Sequence, residues 1–211
     1  MTDFEIERRY LEAGLRLIAG VDEAGRGALC GPVVAAAVVF PTAWISGSGP
    51  AWLDGVDDSK RLRPLRRKLL ARLIRGETSV GIGIVSHLEI DALNILRASQ
   101  EAMRRAVAAL RLLPDLVLID GLPVADFPRP QEAVVGGDRK SLSIAAASIV
   151  AKVWRDRFVS LLGRRYPGYG LEKHKGYGTR AHYEALAALG PTPFHRRSFK
   201  LQYQPKLFQI S

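Results

Sequence analysis

The stretch from residue 18 to residue 40, IAGVDEAGRGALCGPVVAAAVVF, constrains this chain more than any other. Residues 17–21 and 32–40 are rich in Val, Ala and Ile, and they read as two strands of a core hairpin. Two acids, Asp22 and Glu23, stand where the first strand runs out, and Arg26 lies between Gly25 and Gly27. Burying an ionised carboxylate without a partner is costly. Such acids at the edge of a core need basic side chains or metal ions to compensate them.

The pattern continues as alternating strands and helices. Residues 62–75 predict a helix with Leu62, Leu65, Leu69 and Leu73 on one face and Pro64 in its first turn. Residues 79–86 and 115–120 predict strands, the second ending in Asp120, and 132–137 a weaker strand. Residues 88–111 predict helix with a break near Asn94. Residues 139–165 predict a long helix whose small residues, Ala145 to Ser148, permit close packing on a sheet. A Gly/Tyr-rich loop at 166–178 and a helix at 179–189 follow, and 41–52 reads as a loop. This order specifies an α/β layered domain with a mixed sheet. A (β/α)₈ barrel needs more strands, and DEAGRG is no dinucleotide fingerprint, because acids precede it and strand material follows it. A chain of 211 residues suits one continuous domain, with a core over 1–165 and a C-terminal segment over 166–211.

The charge is uneven. Residues 1–138 carry 17 basic and 18 acidic groups, whereas 139–211 carry 14 basic and only 3 acidic ones. A polyanion such as nucleic acid is the natural partner of such a region. No uncharged apolar run is long enough to span a membrane. The single cysteine, Cys30, rules out an internal disulfide framework and reads as a small core residue. The opening MTDFEIERRY lacks a signal-peptide core, and a reducing cytoplasm is the expected location.

Asp120 and Asp138 join Asp22 and Glu23 as acids at the margins of apolar sequence. Carboxylates that converge repel one another until a cation arrives. Mg²⁺ accepts a few carboxylates and leaves its other positions to water and phosphate oxygens. Two such ions can hold both the attacking and leaving oxygens of a phosphodiester displacement. Each acid also has a plainer reading. Asp22 and Asp120 fit turns, Glu23 a solvated position, and Asp138 a helix N-cap. Asp57 and Asp58 fit a solvated turn with Asp58 as a cap, and Asp156 a surface partner of its arginine neighbours.

Several blocks, taken together, resemble one family. GVDEAGRG with GPVVAAAV resembles the signature of type 2 ribonuclease H, the bacterial ribonuclease HII family. DDSKRL, LIDG, GDRKSLSIAAASIVAKVWRDR, YPGYGLEKHKGYGTRAHYEAL and GPTPFHRRSF resemble its further segments, in its order, across residues 18–199.

The resemblance implies an RNase H-like fold: a five-stranded mixed sheet flanked by helices, with a small helical C-terminal part that contributes to substrate binding. It implies endonucleolytic cleavage of RNA in RNA–DNA hybrids and incision 5′ to single ribonucleotides in duplex DNA, leaving 3′-hydroxyl and 5′-phosphate ends. By its motifs, Asp22, Glu23, Asp120 and Asp138 are the metal-binding carboxylates, with Mg²⁺ or Mn²⁺ as cofactor. Gly25, Arg26 and Gly27 read the ribonucleotide, supported by Tyr177. Lys60, Ser141, Lys152 and His174 are further candidates for substrate contact, while His182 and His195 read as structural. Three positions depart from the family's pattern: Ala28 stands at a usual proline, Cys30 at a usual alanine and Gly136 at a usual lysine. Ribonuclease HIII is a rival, but it usually carries an extra N-terminal domain and lacks the Gly-Arg-Gly arrangement. A catalytically silent nucleic-acid-binding protein is another, and retention of all four acids argues against it. A monomer is expected. Binding to a replication clamp through the tail QYQPKLFQI is open.

Overall fold

The computed structural model describes residues 2–202. Five strands form one sheet: β1 (Ile18–Ala24), β2 (Val33–Val39), β3 (Ser79–Val85), β4 (Leu116–Asp120) and β5 (Gln131–Val134). Their order is β3-β2-β1-β4-β5. The β1–β2 and β2–β3 pairs are antiparallel, and β1–β4 and β4–β5 are parallel. The expected mixed sheet is therefore present, with helices on both faces.

The helices are α1 (Glu5–Glu12), α2 (Pro64–Glu77), α3 (His87–Leu93), α4 (Ile95–Ala108), α5 (Leu142–Arg165), α6 (Leu171–His174) and α7 (Arg180–Leu189). Strand side chains alternate between faces. Ala36 and Val38 of β2 meet α5 and α2, whereas Ala35, Ala37 and Val39 meet α4. Helix α5 lies directly on β1. A Cβ added to Gly20 would collide with the backbone of Ser143 and Ile144, so only glycine permits that approach.

The predicted break near Asn94 separates α3 from α4, and Asn94 takes φ +70° while its side chain caps α4. The region 41–52 is not wholly loop. Helical turns at Trp44–Ser48 and Ala51–Gly55 bring Trp44 against Phe40 and Trp52. Helix α1 is not among the expected elements. It buries Glu7, which accepts from Ser141 Oγ at 2.7 Å and the Ser143 N–H at 2.9 Å, fastening the start of α5.

Residues 166–202 pack on the far half of α5 through Leu162, Tyr169, Leu171 and Leu186. Among the described residues no helix is long and apolar enough to cross a membrane. Residues 203–211, where most of the expected tail contact falls, lie outside the described residues.

Candidate active site

The register of β1 and β4 brings the first acids together. Val21 pairs with Ile119 in parallel, so Asp22 and Asp120 follow side by side. Residues level in parallel strands point to the same face. Here that face is the one α5 covers, shared with Ile18, Leu116 and Leu118. Asp138 arrives from a 3-10 turn at Gly137–Arg139, just ahead of α5. Each of Asp22, Asp120 and Asp138 can offer one carboxylate oxygen such that the three lie within 4.8 Å of one another. A set of three hard oxygen donors that close fits a hard divalent cation.

Packing these charges together shifts them. Burial raises the Asp22 carboxyl well above the usual carboxylate range, and Glu23, Asp120 and Asp138 push it further. Burial, Asp120 and Asp58 likewise raise Asp138, against the pull of Lys60. Glu23, next in β1, turns toward the opposite face. It stands outside the close group of three, with Arg26 Nη1 at 3.4 Å. Burial still raises it, Arg26 offsets part of that, and Asp120 adds to it.

Next to these acids the chain turns through Gly25, Arg26 and Gly27. Arg26 and Gly27 are exposed, and their N–H groups have no acceptor in the described protein. Gly25 has φ +101° and sits against the Arg155 side chain, a position that only glycine fills comfortably. Two fully buried arginines hold this turn from below. Arg196 donates to the carbonyls of Gly25, Arg26 and Gly31 at 2.8, 2.9 and 3.0 Å. Arg155 donates to those of Pro32, Lys175 and Cys30, each at 3.0 Å. Neither has a carboxylate within ion-pairing distance among the described residues. Part of the C-terminal excess of positive charge is thus internal scaffolding, which a count of charges cannot distinguish from surface.

Tyr177 lies beside the turn and pairs with Ala28 in an isolated antiparallel bridge. Lys152 Nζ and the Arg155 guanidinium each stand 5.3 Å from its ring centroid. Lys152 also donates to Asp156 at 2.9 Å. Lys60 is exposed and holds Nζ 3.4 Å from Asp138 Oδ2. Its partial burial pulls its ammonium down, but Asp138, Asp58 and Asp22 outweigh that and leave it above the usual value.

Other expectations need correction. Ser141 is fully buried, donates to Glu7 and caps α5 by accepting from the Ile144 N–H, so it is not open to a phosphate. His174 has both ring nitrogens engaged, Nε2 with Tyr169 O and Nδ1 accepting from the Gly176 N–H, so neither is turned to a substrate phosphate. Asp138 does not cap α5, because Ser141 does. Asp58 is no solvated cap: it is buried, accepts from the Lys60 N–H at 2.9 Å and meets Arg139 Nε at 3.4 Å. Gly136, at the usual lysine, takes a left-handed φ of +66° and opens the turn that delivers Asp138.

A family model described as Ribonuclease HII matches residues 19–202. The chain belongs to the ribonuclease HII family. It is similar to a Ribonuclease HII of Geobacter sulfurreducens, 50% identical over 198 residues that cover 93% of this chain and 88% of that one. Among solved structures it resembles a ribonuclease H2 from Pyrococcus horikoshii, with a TM-score of 0.73 and 28% identity, covering 88% of this chain and 94% of that one. It also resembles the ribonuclease HII in a PCNA:RNase HII complex from Archaeoglobus fulgidus, with a TM-score of 0.72 and 29% identity over 90% and 98% of the two chains. This member of the ribonuclease HII family is a ribonuclease H hydrolase, an endoribonuclease of RNA–DNA hybrids. The 50% identity to the Geobacter sulfurreducens Ribonuclease HII, against 23% to a ribonuclease HIII structure, argues against ribonuclease HIII.

Proposed function

We propose that the chain incises duplex DNA 5′ to a single embedded ribonucleotide, as well as cutting RNA in longer hybrids. The reading rests above all on the convergence of Asp22, Asp120 and Asp138 within 4.8 Å beside the Gly25–Gly27 turn, where Arg26 and Gly27 are exposed. These three acids, with Glu23 alongside, would hold divalent cations, Mg²⁺ or Mn²⁺. Bound cations would supply Lewis acidity at the scissile phosphate, activating water and offsetting charge on the departing 3′-oxygen.

The chain's own groups do the rest. Burial and repulsion raise Asp22 and Asp138, so cations held there would compete with protons and bind more tightly as pH rises. The turn reads the sugar: the 2′-hydroxyl distinguishes RNA from DNA, and glycines let the backbone come close to it. Arg26 offers a forked cation to phosphate. Tyr177 backs the turn with an aromatic face, and Lys60 lies where a phosphate would approach Asp138. The segment over 166–211 thereby contributes Tyr177 to substrate binding. The products would be a 3′-hydroxyl and a 5′-phosphate.

The test is an incubation with Mg²⁺ and a duplex carrying one ribonucleotide. A single cut 5′ to the ribonucleotide is expected, and Asp120→Asn should slow it by about a hundredfold or more. A variant that cuts at the parent's rate, or cuts all-DNA duplex equally well, ends the proposal.

A further inference from the structure

Beneath Tyr177 runs a row of buried histidines that the chemistry above does not use. His182, in α7, is fully buried, and His195 is 1% exposed. Their Nε2 atoms lie 3.0 Å apart, so one donates and the other accepts. The neighbours decide which. The Thr192 N–H donates to His195 Nδ1 at 2.9 Å. A neutral ring nitrogen that accepts carries no proton, so the His195 proton is on Nε2. His195 therefore donates to His182 Nε2. The His182 proton is then on Nδ1, which donates to the Tyr177 carbonyl at 3.0 Å. One tautomer of each ring satisfies the whole row, from Thr192 N–H to Tyr177 C=O.

Burial holds His195 down to about 4, and burial lowers His182 as well, so both rings are neutral near pH 7. His174 stacks on His182 at 4.4 Å and covers it. The row also closes a ring of segments. Leu29 N–H donates to Gly176 C=O at 2.8 Å, and Arg196 N–H donates to Leu29 C=O at 2.9 Å. Isolated bridges pair Ala28 with Tyr177 and Cys30 with His195. The segment after the Gly25–Gly27 turn is thus pinned to the Tyr177 loop on one side and the His195 segment on the other. The two histidines join those two sides directly.

We propose that His195 and His182 are positioning residues, a directional buried relay that sets the Tyr177 backbone against the Gly25–Gly27 turn and so fixes how the tyrosine meets the ribonucleotide. This rests on the reading of Tyr177 as a substrate contact. If the rings merely filled space, an aromatic of similar size at 182 would serve as well. If they relay position, the donor to Tyr177 O is what matters.

The experiment separates the two readings. Protein is labelled with 3-fluorotyrosine, and the Tyr177 ¹⁹F resonance is assigned with Tyr177→Phe. In Ca²⁺, that resonance in the parent should move on adding duplex with one ribonucleotide, and not on adding all-DNA duplex. No movement in the parent overturns the substrate role of Tyr177, whatever the histidines do. His182→Phe should shift the free-state Tyr177 resonance and slow Mg²⁺-dependent cutting at the ribonucleotide about tenfold, with the Mg²⁺ requirement unchanged. His182→Asn, whose amide still donates to Tyr177 O, should restore the rate to within about threefold of the parent. If His182→Phe does not fold, His182→Met, which also lacks a donor to Tyr177 O, carries the same comparison. The relay is overturned by a folded donor-free variant with the parent's resonance and rate, or by His182→Asn faring no better than His182→Phe.

Discussion

The N–H of Gly137 donates to Asp120 Oδ1 at 2.7 Å. Asp138 is the next residue, so this one bond ties the acid at the end of β4 to the acid ahead of α5. It sets their separation before any cation is bound, against a repulsion that would drive them apart. Asp120→Asn keeps an oxygen for Gly137 but loses the charge. Loss of partners that merely orient a metal ligand typically costs 10–100-fold, so loss of a ligand itself should slow cutting by about a hundredfold or more. Asp120→Ala should lose activity too, and in addition melt at a lower temperature than Asp120→Asn. Cleavage rates and melting curves of the two variants check this. Equal melting of the two would show that the Gly137 bond has no structural role.

Asp22 contributes a pH dependence to the stability of the metal-free protein. Its folded-state pKa is raised, so between the ordinary carboxylate value and the raised one the folded chain binds more protons than the unfolded chain. The contribution of Asp22 to stability therefore falls as pH rises through that window. Asp22→Asn escapes this, since its amide still accepts from the Glu23 N–H as the carboxylate does at 2.6 Å. At neutral pH without metal, the variant should melt higher than the parent, by on the order of 2–4 °C for each kcal/mol relieved. The gap should close as pH falls to about 4, where the unfolded-state carboxyl is also protonated. Added Mg²⁺ should raise the parent and leave the variant nearly unchanged, because only a ligand that binds the folded state stabilises it. Calorimetry across pH, with and without Mg²⁺, measures both effects.

The sheet and its acids were legible in the sequence because their signals are local. Apolar runs mark β1, β2 and β4, and each of Asp22 and Asp120 interrupts or ends such a run. The close group of three was not legible from spacing, since Asp22 and Asp120 meet only through the β1–β4 register. Other residues escaped because their signal is tertiary. Glu7 looks like any charged residue on a short surface helix until Ser141 and Ser143 are seen to donate to it. Asp58 looks like a turn residue until it is found buried under Lys60 and Arg139. Arg155 and Arg196 count as surface charge in any composition, yet their partners are carbonyls distant in the chain. Ser141 is the opposite case: a hydroxyl near a helix start fits both a phosphate and a cap, and only burial decides.

Lys60 tests the electrostatic part of the site. Its side chain is 75% exposed, so its 3.4 Å approach to Asp138 adds little to stability. Asp58 nevertheless holds its backbone in place by accepting from the Lys60 N–H. Lys60→Ala should leave the melting temperature nearly unchanged and raise KM for ribonucleotide duplex. The slope of log affinity against log salt should fall by about one, as for loss of one phosphate contact. Binding titrations at several salt concentrations supply the slope. An unaltered slope with unaltered KM would remove Lys60 from the substrate surface.

Arg196 tests whether the Gly25–Gly27 turn is built from within. Its guanidinium satisfies three carbonyls, two of them in Gly25 and Arg26, in a place that water does not reach. Removing the donor strands those acceptors, and each buried group left unmade costs about 1–3 kcal/mol. Arg196→Met, which keeps much of the stem, should therefore destabilise the fold by roughly 3 kcal/mol or more. At about 2–4 °C per kcal/mol, that is a fall in melting temperature on the order of 6–12 °C. Arg196→Lys should recover only part of it, because an ammonium on a flexible stem cannot match the planar fork that reaches all three oxygens. The two variants should also differ in selectivity. Below its melting temperature, Arg196→Met should lose the preference for a ribonucleotide over deoxyribonucleotide more than it loses Mg²⁺ binding, since Asp22, Asp120 and Asp138 make no contact with the guanidinium. Equal loss of both would mean that the arginine supports the acids, and that the turn holds its shape without it.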